Sequence, residues 1–578
     1  MTDSRMKLSS IGQVQSGTWW RVQPGLWAAA CFLLFIGLCV AIQAYTMAPA
    51  GDLGRTGDEA GHFVSSAMIR DYALLGLGSN PVRFALDYYA HLPRVSIGHW
   101  PPFFHLVQAS VFLLTGVSFA AALGFQAAIA GTAAALTAAV VYQHAGRGWR
   151  GSIIGAAAGF AVLASPYLLR NISTVMLDTF LAVLVVLSAL AWAAYVRSGR
   201  AIWSVVFGLV ASAAILTKGN AFGLGLLPIV YVALSGQLRL LANWRTWLSA
   251  GIVLLLTVPW YALTYRIASD GFVYSWGMDY TARAIPAFSR AALDSFGPVA
   301  LAGFAVAVVA FSRRARRGNR EETILSCAAA AVGLFLFQIV APADLSPRYL
   351  IAILPCVLIV SACGIAMVAA TLCRGSETVS RWLPATAVVV GLILNAGLTF
   401  RVPPTSPDTM NKVARALLAA PESAPLVLVA AGPNGEGALI AAFAAFDASR
   451  AHYVIRASKA FATSNFMGFD YRPRFSSAAE TAKWIAEHRI GWLVLDDEPR
   501  SMAMLHNQQL ASLADAGQPG WRLVFERPHG QGGVRLFRLD GTAATPADIA
   551  AVLRQVAPVK VIGGSPDPEP PGPDVPRR

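Results

Sequence analysis

Two adjacent acids, Asp58 and Glu59, stand in the segment Thr56-Gly57-Asp58-Glu59-Ala60-Gly61-His62-Phe63, between the first long apolar run and a helix-like stretch, 60–75. Acids opening a helix are stabilised by its dipole, so simple helix capping accounts for them. The chemical reading is a carboxylate held near a membrane face, able to take a proton from an alcohol or amine or to bind a metal. His62 falls one turn beyond Asp58, on the same helix face. Asp178, Lys218 and Arg348 each interrupt or open an apolar run. Basic side chains at such positions either snorkel to lipid phosphates or bind the phosphate of a lipid-linked substrate where water is scarce.

The elements that must position these residues are membrane helices. The chain has 578 residues, with 45 Lys plus Arg against 31 Asp plus Glu (net +14), 56% apolar residues and 13% charged ones. A soluble protein carries about 25% charged residues, so the composition excludes an ordinary cytosolic enzyme and a disordered chain. It predicts a polytopic α-helical membrane protein. A spanning helix needs about 20 apolar residues. Runs of about that size cover 26–47, 121–142, 152–169, 179–196, 201–217, 219–235, 246–265, 296–312, 323–341, 349–372 and 383–400. The further run 102–116 follows a Pro-Pro pair and is short for a crossing.

The arginine clusters 147/150, 197/200, 239/245, 313–320 and 374/381 alternate with arginine-poor turns. Placing every cluster in the cytoplasm gives eleven crossings, with the N-terminus inside and the C-terminal part outside, provided 102–116 does not cross. Basic residues spread between apolar runs in this way do not form a nucleic-acid-binding face. The first run is longer than a signal-peptide core, so it reads as an uncleaved anchor despite Ala48-Pro49-Ala50. All six cysteines lie in or at the ends of apolar runs and read as small core residues.

The organisation expected is a cytoplasmic N-terminus (1–25), a membrane domain (26–400) with external loops 51–101 and 266–295, an extracytoplasmic α/β domain (401–562), and a proline-rich disordered tail (563–578). In the α/β domain, 426–430, 452–455, 492–495, 521–525 and 534–539 read as strands, with 436–448 and 478–488 as helices. The glycines at 432, 435 and 437 do not fit a dinucleotide fingerprint and read as a plain strand-to-helix turn.

Asp58-Glu59 before a helix, His99-Trp100-Pro101-Pro102, Met176-Leu177-Asp178, Leu216-Thr217-Lys218-Gly219 and Pro347-Arg348-Tyr349-Leu350 occur in that order across 26–400. In this the chain resembles the GT-C membrane glycosyltransferases of family 39, which include bacterial aminoarabinose transferases of lipid A and protein O-mannosyltransferases. The resemblance implies a GT-C-like domain of about 11 to 13 transmembrane helices in the bacterial inner membrane. It implies inverting transfer of a sugar from a polyprenyl-phosphate donor to an acceptor on the external face. By the same resemblance Asp58 is the general base and Lys218 and Arg348 bind the donor phosphate, while Glu59, His62, His99, Asp178 and Tyr349 belong to the substrate site.

Those residue types suit the chemistry. A sugar leaving phosphate develops oxocarbenium character on the ring and negative charge on the departing oxygen, which calls for cations at the phosphate and a carboxylate on the opposite face. No cofactor is required and no metal is assigned; Asp58, Glu59 and His62 could ligate a divalent cation, but nothing else in the sequence supports one. The partners expected are the lipid-linked donor, membrane lipids and an acceptor left open among lipid, glycan and protein, without nucleic acid. Two positions depart from the family. His99-Trp100 replaces an acid-Lys pair usual in aminoarabinose transferases, and His62 stands where Tyr is frequent. A transporter or flippase of a lipid-linked or anionic substrate would use the same charges near mid-bilayer with internal repeats, and no convincing repeat is present. A scaffold presenting the C-terminal domain would leave Asp58 in lipid, or in an ion pair with no cavity beside it.

Overall fold

The computed structural model describes residues 24–556 except 147, 270–271, 343, 373–376, 422–423, 464–470, 530–531 and 542. The expected tail, nearly all of 1–25, Asp270 and Cys373 lie outside the described residues. Among the described residues, eight helices are long and apolar enough to cross a membrane: Gly25–Tyr45, Phe119–His144, Asp178–Ser198, Trp244–Ser269, Pro298–Arg316, Glu322–Val340, Pro347–Leu372 and Trp382–Thr399. The protein is a multi-pass integral membrane protein.

Four expected spans differ from uninterrupted α-helices, 349–372 among them, which opens as the 3-10 turn Pro347–Ile353. The run 152–169 is Trp149–Ala164 followed by Pro166–Ile172, bent by 75°. Pro166 cannot donate to the preceding turn and forces Ser165 to an extended backbone (ψ 130°). Ala201–Ile215 is short, and 219–235 opens as the 3-10 turn Gly219–Leu226 before Leu227–Ser235. These breaks place residues 173–178 and 216–218 at one end of the bundle.

Contacts sort the helix ends into two groups. At one end Arg197 donates to Thr323 (2.8 Å), Arg245 to the Gly199 carbonyl (2.9 Å) and Arg316 to the Ala233 carbonyl (2.8 Å), while Arg314 pairs with Glu321 (2.7 Å). At the other end Thr46 meets Ser173 (2.8 Å), and the Phe119 ring lies 5.8 Å from Phe446 of the C-terminal domain. The successive segments from Pro24–Tyr45 to Glu377–Thr399 therefore alternate in direction, including the bent and the short ones. Helix Phe103–Thr115 does not cross. The Phe103 amide donates to the Leu216 carbonyl (2.9 Å), and Phe112 and Phe119 both pack on Phe63 (5.5 and 5.1 Å), so both its ends lie at the same end of the bundle. Small residues let the helices approach closely; a Cβ on Gly131 would come within 2.9 Å of the Ile36 amide nitrogen.

The stretch 266–295 holds most of the amphipathic helix Met278–Phe296, whose Tyr280 donates to the Gln338 carbonyl (2.8 Å). Five described cysteines (31, 39, 327, 356 and 363) are buried and free.

The C-terminal domain is α/β as expected. Strands β1 (Leu426–Ala430), β2 (Tyr453–Arg456), β5 (Trp492–Asp496), β6 (Trp521–His529) and β7 (Gly532–Leu539) form a mixed sheet in the order β2-β1-β5-β7-β6. β3 (Ala462–Thr463) and β4 (Arg472–Pro473) make a separate antiparallel pair. β1 runs parallel to β2 and β5, and helix Pro433–Phe446 makes the first crossover. Helices Thr409–Leu418, Leu505–Asp515 and Pro546–Val556 add to the two expected.

The domain is fastened to the membrane part through the loop after the first span. The Asp52 carboxylate accepts from the Met410 and Asn411 amides (2.9 and 2.8 Å), satisfying a helix start. Gly54 lies against helix Pro433–Phe446 so closely that a Cβ there would sit 3.0 Å from the Asn434 carbonyl oxygen. Leaving buried amides unsatisfied costs about 1–3 kcal/mol each. Asp52→Ala is therefore expected to loosen the domain and speed limited proteolysis within 401–408 about tenfold in the detergent-solubilised chain; an unchanged rate would show that Asp52 is not the fastening.

Candidate active site

Asp58 precedes helix Glu59–Asp71 with an already helical backbone (φ −83°, ψ −29°), and its side chain makes no capping bond. The capping explanation for Asp58 is thereby corrected: the carboxylate turns away from the helix and pairs with Arg348. Glu59 does turn to backbone. It accepts from the Arg55 amide (3.0 Å) and from the Val175 amide (3.0 Å), bracing the loop that leads to Asp178. Burial drives the Glu59 carboxyl up to about 7, against the two amides and Arg55, which favour its charged form.

A second ion pair lies behind the first. Lys218 stands where helix Ala201–Ile215 has ended and the chain is extended, and its Nζ donates to Asp178 at 2.5 Å. Asp178 opens helix Asp178–Ser198 and is fully buried; Lys218 is 8% exposed. The Lys218 ammonium also sits 4.1 Å from the centre of the Tyr349 ring, a cation–π contact. The neighbouring Arg348 guanidinium lies 5.8 Å from the same ring and 4.0 Å from the Met176 sulfur. Asp58, Asp178, Lys218, Arg348 and Tyr349 thus form one cluster, drawn from four distant parts of the chain. Buried pairs of this kind add little stability over apolar packing.

Beside the cluster is a cavity of about 770 Å³ between the membrane helices and the C-terminal domain. Asp58 and Arg348 line it; Lys218, Asp178, Tyr349, Glu59, His62 and His99 are not among its walls. His62 meets His105 (Nδ1 to Nε2, 3.2 Å) and the edge of Trp100 (ring centres 4.8 Å apart). Its imidazole is held well below the usual range by burial, with His105, Arg348 and Lys218 adding, so it is neutral at pH 7. His99 lies in the turn after Ser96, its amide donating to the Ser96 carbonyl (3.1 Å). Among the described residues no group of three or more His, Cys, Asp or Glu is arranged to hold a metal ion.

The sequence reading missed several walls of the cavity: Arg55, Arg94, Asn171, Arg500 and the turn Gly432–Gly435. Arg94 donates from Nη2 to the Pro433 carbonyl. Burial lowers it to about 9, with Arg456 adding to the effect and Glu436 opposing it. The turn itself is the plain strand-to-helix connection expected, with Pro433 at the first helical position.

The fold is that of ArnT from Cupriavidus metallidurans. Its crystal structure in the apo state matches with a TM-score of 0.54 at 16% identity, covering 90% of this chain and 99% of that one. The structure of ArnT bound to undecaprenyl phosphate matches at 0.50 and 16%, covering 89% and 99%. The archaeal oligosaccharyltransferase AglB from Archaeoglobus fulgidus, in complex with an inhibitory peptide and a dolichol-phosphate, gives 0.48 at 12%, covering 88% and 74%. No family model and no curated protein matches the sequence. At these identities the likeness is one of fold, and it bears out the GT-C-like architecture expected from the order of the motifs.

Glu59 yields a prediction independent of activity. Its folded-state value of about 7 exceeds the ordinary 4.5, so the folded chain holds a proton that the unfolded chain releases in between. That stabilisation, about 3 kcal/mol, is complete at low pH and is lost as pH rises through 7. Thermal unfolding midpoints of the wild type are expected to fall across this window, and Glu59→Gln to flatten the fall; equal slopes would contradict the burial assigned to Glu59.

Proposed function

We propose that the protein transfers a sugar, with inversion, from a polyprenyl-phosphate donor to an acceptor on the extracytoplasmic face of the bacterial inner membrane, with Asp58 as general base. The observation that carries this reading is a buried carboxylate, free of any capping bond, paired with a cation on the wall of a large cavity. The ArnT fold supports it, because that protein has been solved with undecaprenyl phosphate bound. The arginine-rich helix ends face the cytoplasm in this reading, which follows the positive-inside rule. The charges of the site gather at one end of the helices, which disfavours a transport path through the bilayer.

The donor phosphate competes with Asp58 for Arg348 and with Asp178 for Lys218. When it takes the two cations, Asp58 is released to act on the acceptor. The acceptor oxygen forms a bond to the anomeric carbon, and its proton passes to an Asp58 oxygen. The bond between the anomeric carbon and the phosphate oxygen breaks, and its electron pair leaves on the polyprenyl phosphate, where Arg348 and Lys218 offset the added charge. Tyr349 supports Lys218 through its ring, Glu59 braces the loop before Asp178, and His62 packs against His105 and Trp100 as a neutral group. His99 takes no step. Two cations at the phosphate do the work a divalent ion would do, so the proposal assigns no metal.

General-base removal typically costs about 10²–10⁴-fold. Asp58→Asn is expected to lose that much sugar transfer from extracted polyprenyl lipid while keeping its unfolding temperature; a folded variant with native turnover refutes the base role. Lys218→Ala should raise the donor KM at least tenfold, and chelation with EDTA should leave wild-type turnover unchanged. A loss on chelation that Mg²⁺ or Mn²⁺ restores would overturn the metal-free assignment.

A further inference from the structure

The C-terminal domain holds a second cavity, of about 270 Å³, that the proposed reaction does not use. It is bordered by Ala424 before β1, Gly491 before β5, Trp521 at the start of β6 and Leu539 at the end of β7. The active-site cavity instead takes in Gly432 after β1 and Asp496 at the end of β5. The two cavities therefore lie at opposite ends of the parallel strands and have no lining residue in common. The five residues of β1, roughly 16 Å of sheet, stand between them.

Four polar side chains and one indole line this second cavity: Arg489, Gln518, Arg538, Asp540 and Trp521. All can be reached from solvent. The Arg489 side chain is 42% exposed, Asp540 is exposed, and Gln518, Trp521 and Arg538 are half-buried. Arg489 occupies a position that suits another residue. It follows His488, the C-cap of helix Ala478–Glu487, with φ +50°, the left-handed conformation for which a helix end usually employs glycine. Its ion pair with Asp548, at 3.4 Å on the surface, returns little stability. Arg538 is held at the wall: its Nη1 donates to the carbonyls of Gly491 (2.9 Å) and Leu539, both lining residues, while its Nη2 donates to none of the described residues. Trp521 packs near Phe537 (ring centres 6.1 Å apart) and borders the cavity as well. The Asp540 amide donates to the Gly520 carbonyl (2.7 Å), which ties Asp540 to the turn carrying Gln518 and Trp521.

An aromatic ring beside guanidinium, carboxamide and carboxylate groups matches the surface of a single sugar. The indole covers the C–H face of the ring, the carboxylate and the amide bind hydroxyls, and a planar guanidinium meets a carboxylate through two parallel hydrogen bonds. Two arginines against one aspartate favour an acidic sugar over a neutral one. The volume falls just below that of sites for drug-sized ligands, which limits the occupant to about one ring. We propose that this cavity is a saccharide-binding site remote from the reaction, taking one carboxylate-bearing pyranose residue of an extracytoplasmic glycan. Trp521 stacks on the ring, Arg489 and Arg538 bind the carboxylate, and Asp540 and Gln518 bind the hydroxyls. The sugar is held there and not transformed, so the site stands whether or not Asp58 is the general base.

Saturation-transfer NMR on the detergent-solubilised full chain tests the site without any turnover. The probe is sodium glucuronate, and the control is glucose with sodium acetate balancing the ionic strength. Saturable transfer to the glucuronate ring protons is expected, with affinity about tenfold above that for glucose. Arg489→Gly should weaken glucuronate binding about tenfold and keep the unfolding temperature, because glycine suits the left-handed backbone. Trp521→Ala should abolish binding, and Lys218→Ala, in the other cavity's ion-pair cluster, should leave it unchanged. Absence of saturable binding in the wild type, glucose bound as tightly as glucuronate, native affinity in a folded Arg489→Gly, or binding lost in Lys218→Ala overturns the assignment.

Discussion

A carboxylate and a guanidinium removed from water attract each other strongly, yet each has lost its hydration, and the two effects roughly cancel. The Asp58–Arg348 pair therefore has to be enforced by its surroundings. Asp58 is held by the start of the helix Glu59–Asp71, and Arg348 by the 3-10 turn Pro347–Ile353 that opens a membrane span. The second pair, Lys218 with Asp178, repeats the arrangement one layer deeper, where one Asp178 oxygen has no hydrogen-bond partner among the described residues.

The rest of the architecture keeps that cluster in place. The break at Ser165–Pro166, the early end of helix Ala201–Ile215 and the short helix Phe103–Thr115 all occur at the end where the site lies. Irregular backbone at membrane depth is tolerated where it is buried in protein or lines a cavity. Its polar groups are met one by one: Gln126 donates to the Met176 carbonyl (2.7 Å), Gln43 to Leu123 and Ile172 (2.7 Å each), and Glu59 accepts from Val175. The C-terminal domain closes the top through Asp52 and Arg94, so the cavity has one wall from each part of the chain.

Much of this was legible in the residues. The apolar runs located the helices, the arginine clusters located their common end, and Asp58, Asp178, Lys218 and Arg348 stood out because charge inside an apolar run is costly. The strands of the C-terminal domain were visible as short apolar segments. The break at Pro166 was legible too, but run length alone concealed it. Helix Thr409–Leu418 carried the 3.6-residue signal in Met410, Val413, Ala414 and Leu417, and went unread beside a proline-rich stretch. Arg94 and Asn171 had no such signal. Arg94 sits in an irregular loop, and its surroundings come from a helix more than three hundred residues later, so only the folded chain reveals that its guanidinium donates to the Pro433 carbonyl. The same holds for Asp58: its position at a helix start suggested a cap, and only the packing of Arg348 beside it decides otherwise.

The account turns on an exchange of partners at Arg348. A structure of the full chain with polyprenyl phosphate bound measures it directly. The prediction is that phosphate oxygens lie within hydrogen-bond distance of Arg348 and Lys218, with the Asp58 carboxylate detached and facing the cavity. Lipid bound elsewhere, with Asp58 and Arg348 still joined, would contradict it.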